Sequence, residues 1–134
     1  MVTLSAEDTR RAARLIAEAY RRAVRAPDVD RLIAHWRRTA ARVERTYDGS
    51  VYDYLVDLDR RRLLAAIEAA LSEDGRTTLR RTLGPIDERF ERATMNAGRP
   101  VAIVPAADAN PWFSRVPANP GPGLRADLDR MRTR

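Results

Sequence analysis

Apolar residues recur at intervals of three and four through four stretches of the chain, a period that predicts four amphipathic helices. The first opens at Ser5, with Asp8 three residues on in the spacing of a capping box. Ala12, Leu15, Ile16, Ala19, Tyr20 and Ala23 share its inward face, and Arg10, Arg14, Arg21 and Arg25 lie opposite. Ala26-Pro27-Asp28 ends this helix and starts the next, because proline fits a first helical turn but not an interior one. So short a connection implies an antiparallel hairpin. The second helix, about residues 28–47, has the cleanest pattern. Val29, Leu32, Ile33, Trp36, Ala40, Val43 and Tyr47 form one stripe, and Arg31, Arg38, Arg42 and Arg45, with His35 beside them, form the other.

The third run, Ser50 to Leu71, is the longest. Ser50 and Asp53 have capping-box spacing, and Gly75 stands where a left-handed residue stops a helix. At about 100° per residue, Tyr52, Leu55, Val56, Leu63, Ala66, Ile67, Ala70 and Leu71 fall on one face. Asp57 and Arg61, one turn apart, fall opposite as a surface pair. Asp59 breaks the pattern, since it lands within the apolar face, where an unpaired carboxylate is costly. Three readings stay open: a break in the helix with Asp59 capping a second segment, an ion pair with an arginine from another helix, or a functional buried acid.

In the fourth run Thr77 or Thr78 is the candidate cap, and Leu79, Leu83, Ile86, Phe90 and Ala93 keep helical spacing. Gly84-Pro85 predicts a kink or a split into two short helices. Asn96-Ala-Gly98 ends it. From Arg99 the character changes: six of the eight prolines lie between 100 and 122, which rules out a continuous helix there. Val101–Val104 is a short apolar run between Pro100 and Pro105, and Leu124, Leu128 and Met131 mark a last short helix. Trp112 and Phe113 lie in the proline-rich stretch. Either they pack back on the bundle with Val101 and Ile103, or they form an arm that anchors on another chain.

The expected fold is therefore all-α: a small bundle of four main helices over 1–98, the fourth kinked or split at Gly84-Pro85. A proline-rich extended strap and a short terminal helix follow over 99–134, packed on the bundle as one domain. Its expected core comprises Leu15, Ile16, Tyr20, Leu32, Trp36, Val43, Leu55, Val56, Leu63, Ile67, Leu79, Leu83, Ile86 and Phe90.

Composition narrows the chemistry. At 134 residues and 44% apolar content the chain can bury a real core. No apolar stretch reaches membrane-spanning length, and the first residues lack signal-peptide character, so cytoplasmic residence is the default expectation. There is no cysteine, hence no disulfide, thiolate metal site or thiol chemistry. With one histidine, no glycine-rich phosphate loop and no paired-histidine helix, neither cofactor nor metal is expected. All 25 basic residues are arginine, and the net charge is +6. That arginine and alanine excess matches GC-rich coding, so only its placement bears on function.

The candidate anion- or partner-binding residues are thus Arg31, His35, Arg38, Arg42 and Arg45. Their row suits phosphates or carboxylates. Trp112 and Phe113 are the candidate interface arm and Asp59 the candidate buried acid. These features favour a non-enzymatic protein-interaction or regulatory module with a protein partner or a second copy of the chain. The alternative is a nucleic-acid-binding protein using the arginine stripe. The third expectation is an enzyme with an acidic site around Asp59.

Overall fold

A computed structural model describes residues 1–101 and 111–132 of the chain. Four helices make the bundle: α1 (Ala6–Ala19), α2 (Val29–Arg45), α3 (Val51–Ala70) and α4 (Glu73–Arg92). A short strand β1 (Thr94–Asn96) follows, then a 3-10 turn (Pro111–Ser114), β2 (Arg115–Pro117) and a final helix α5 (Pro122–Arg132). The architecture is all-α. No helix among the described residues is long and apolar enough to cross a membrane.

Helix α3 is the hub, packing against α1, α2, α4, α5 and the 3-10 turn. Its start is set locally by Ser50 and Asp53, which form both bonds of a capping box. A remote group helps: the Asp127 carboxylate of α5 accepts from the Val51 N–H at 3.0 Å. Because neighbours surround α3, its buried residues are not one stripe. Tyr54, Leu58, Leu64 and Ile67 are fully enclosed, whereas Tyr52 and Val56, expected inside, stand 77% and 51% exposed. Leu15, Tyr20 and Leu55 are half-buried at the margin of the core. The other expected core residues are buried.

The helix ends show how distant contacts override local signals. α1 stops at Ala19 with Tyr20 as its cap, so Ala23 lies beyond it and is exposed. Ser5 accepts from the Asp8 N–H, but Asp8 does not return the bond. Its carboxylate instead accepts from the Ser72 N–H at 2.9 Å and the Ser72 hydroxyl at 2.5 Å. Ser72 in turn caps α4, displacing the expected Thr77 or Thr78. Gly75 does not terminate α3, whose last residue is Ala70 with Leu71 as its cap. It sits buried in the first turn of α4, where a Cβ would lie 2.3 Å from Asp8 Oδ2. α4 is one unbroken element with Pro85 inside it rather than two helices.

The chain after α4 folds back on its own bundle. β1 and β2 pair antiparallel with Met95 opposite Val116. The 3-10 turn inserts Trp112 and Phe113, 8% and 2% exposed, into the core. Trp36, Phe90 and Trp112 form a cluster with ring centroids 4.6–5.7 Å apart. The strap's main chain is pinned by the Tyr54 hydroxyl donating to the Arg115 carbonyl at 2.6 Å. The Gly121 N–H donates to the Tyr47 carbonyl at 2.8 Å, an approach so close that a Cβ on Gly121 would meet that oxygen at 2.5 Å. Val101 is buried with its N–H bonded to the Phe113 carbonyl; Ile103 and the rest of the 101–104 run lie outside the described residues.

Candidate functional site

Helix α2 buries Leu32, Ile33, Trp36, Ala40 and Val43, which turns its arginine face outward. The five predicted residues of that face do not behave as one row. Arg31, Arg38 and Arg45 are exposed. Arg42 is drawn down onto α3: it pairs with Asp48 at 2.9 Å and Asp57 at 3.4 Å, and its guanidinium lies 4.3 Å over the Tyr47 ring. His35 is half-buried. Its Nδ1 stands 3.0 Å from an Arg38 nitrogen and 3.2 Å from an Arg60 nitrogen. A guanidinium has only donors, so Nδ1 is the acceptor and the ring's proton sits on Nε2. Burial first, then the charges of Arg60 and Arg38, hold the imidazole below its ordinary pKa, with Asp57 opposing them.

The carboxylate desolvated on α3 is Asp57, not Asp59. The Asp59 side chain is 58% exposed and paired with Arg62 at 2.7 Å, and the helix runs through it without a break. Asp57 is buried instead of forming a surface pair with Arg61. It accepts from the Tyr47 hydroxyl at 2.6 Å and from Arg42 and Arg60, each at 3.4 Å. Burial and then this bond push the Tyr47 hydroxyl well above its usual range, so it remains a neutral donor. Arg61 is buried too, in a bidentate pair with Asp87, both contacts 2.9 Å. Asp87 also accepts from the Trp36 indole N–H at 2.8 Å. Arg61 Nη1 has no hydrogen-bond partner among the described residues, and the guanidinium lies 4.8 Å from the Trp112 ring. These acids are occupied by structural bonds. No cluster of three or more potential metal ligands occurs among the described residues.

Trp112 and Phe113, expected as an exposed arm in one reading, are core residues of their own chain. The exposed apolar surface lies elsewhere. Tyr52, Leu55, Val56 and Tyr20, with Phe113 as floor, line an open groove of about 800 Å³ between the end of α1 and α3, bordered by Arg60 and Arg62. Next to it lies a smaller pocket of about 230 Å³ lined by Tyr20, Arg25, Pro27, Arg31, His35 and Arg60. The two share Tyr20 and Arg60, so an apolar groove runs into a cationic pocket without an acid in its lining.

The periodicity found Arg31 and His35 but missed Arg25, Arg60 and Tyr20, which come from other elements. No signal in the sequence links Arg25 to Arg60, because their proximity is created by the α1–α2 hairpin closing on α3. No family model, curated protein or solved structure matches this chain.

Proposed function

We propose that the chain is a non-enzymatic protein-interaction module whose α3 groove receives an acidic segment of another protein, anchored by an apolar side chain. The observation that carries this reading is the groove itself. Tyr52 and Val56, which burial would favour, stand in solvent beside a cationic pocket. Its rim carries Arg60 and Arg62 against one acid, Asp59, already paired. The net charge of +6 favours an acidic partner over a second copy of the same chain.

Selection of short random peptides against the intact protein tests this. Enriched sequences should combine Asp or Glu with one large apolar residue, and should lose binding to the Tyr52→Glu and Val56→Glu variants. Enrichment of nothing, or binding unchanged in both variants, would sink the reading. A doubled mass by light scattering that Val56→Glu returns to monomer would make a second copy the occupant instead.

A second reading rests on Arg31, Arg38 and Arg45, exposed and seven residues apart along α2. Such a row suits a nucleic-acid backbone and predicts affinity for an oligonucleotide that falls steeply with salt. It would be lost in Arg38→Glu/Arg45→Glu, which spares the structural bonds of Arg42.

A further inference from the structure

We infer that the pocket formed by Arg25, Arg31, His35 and Arg60, with Tyr20 at its side, is a binding site for a phosphate-class dianion. Three segments distant in sequence supply it. Arg25 comes from the α1–α2 connection, just before Pro27, whose ring fixes the backbone there. Arg31 and His35 lie one turn apart on α2, and Arg60 comes from α3. Like charges brought together around a concavity raise its local potential and favour a bound anion. The nearest buried acid, Asp57, is shared among Tyr47, Arg42 and Arg60, and reaches Arg60 at 3.4 Å. No acid compensates Arg25 or Arg31 from within the lining.

Two of the donors are already oriented. Arg60 is held between Asp57 and His35 Nδ1. His35, its Nδ1 filled by Arg38 and Arg60, keeps Nε2–H as its donor. The charge excess favours a phosphoryl group, with about −1.5 to −2 charge and three acceptor oxygens, over a carboxylate. The pocket's 230 Å³ exceeds several water volumes of ~30 Å³ each, enough for a tetrahedral oxyanion. This site stands independently of any protein partner in the groove.

The chain's one histidine is a reporter within the pocket. Its imidazole resonances are followed by NMR while inorganic phosphate replaces chloride at constant ionic strength. The expected result is a saturable shift, with the His35 titration midpoint moving upward because a bound anion favours the imidazolium. Arg31→Gln and Arg25→Gln, both at exposed positions, should each weaken apparent affinity about tenfold or more, equivalent to the ~1.4 kcal/mol of one charge-assisted bond. Arg125→Gln, exposed on α5 and outside the pocket lining, should leave it unchanged. A non-saturable drift, or saturation unaltered in both pocket variants, would overturn the site. Phenyl phosphate separates the two sources of such a group. Tighter binding than inorganic phosphate supports a phosphoryl carried by a larger ligand reaching in from the groove, and equal binding supports a free anion. Loss of peptide binding in Val56→Glu with phosphate binding retained would keep this site distinct from the groove.

Discussion

Replacing Arg61 by Met is the sharpest probe of how the bundle is held together. As a surface partner of Asp57, Arg61 would contribute ~0.3–0.5 kcal/mol. In the structure it is 7% exposed by side chain, bonded twice to Asp87 at 2.9 Å, and packed 4.8 Å from the Trp112 ring and 6.0 Å from the Trp36 ring. Met retains much of the apolar stem but leaves the Asp87 carboxylate, 20% exposed, with the Trp36 N–H alone among its described partners. Removing one partner of a buried pair costs ~3–5 kcal/mol, and the residual exposure of Asp87 puts this case near ~3. For a chain of this length that corresponds to a fall in Tm of roughly 10 °C. Urea unfolding followed by circular dichroism measures it directly. In Arg61→Met/Asp87→Asn the loss should fall short of the sum of the single variants by ~2 kcal/mol, since neither charge is then stranded. An Arg61→Met protein within ~0.5 kcal/mol of the parent would refute the burial of this pair and the orientation of α3 that produces it.

Two further outcomes follow from the same packing. Gly75→Ala, which in an open helix interior would stabilise by ~1 kcal/mol, should instead destabilise by ~1–3 kcal/mol, because the new Cβ meets Asp8 Oδ2 at 2.3 Å; thermal melts give the sign. His35 sets a pH dependence opposite to that of a histidine stabilised by a carboxylate. Its folded pKa lies below 6.5, so between the two values the unfolded chain binds a proton that the fold rejects, and stability falls as pH drops below about 6.5. The groups around it are Arg38, Arg60 and Asp57, with Arg25, Arg31 and Tyr20 across the pocket. Urea midpoints at pH 7.5 and 5.5 should differ less in His35→Gln than in the parent.

The helices, their order and the α2 stripe were legible along the chain because each rests on short-range physics: a 3.6-residue period, Ser5 and Ser50 as caps, prolines that exclude helix after Arg99. What lay beyond reach was set by partners far apart in the chain. Hydropathy charges Asp57 and Arg61 their full desolvation and so turns them outward. The fold instead gives Asp57 the Tyr47 hydroxyl, ten residues away, and gives Arg61 the Asp87 carboxylate, 26 away. Those bonds rotate the first half of α3, burying Tyr54 and Leu58 and leaving Tyr52 and Val56 to line the groove. Likewise Asp8 reads as half of a local capping box until Ser72, 64 residues on, takes its carboxylate. Local pattern thus determined which segments are helical. Which face α3 buries was decided by the compensation of buried charge between helices, a pairwise energy that no single stretch of sequence contains, and which arginines converge on one pocket by the α1–α2 hairpin closing on α3.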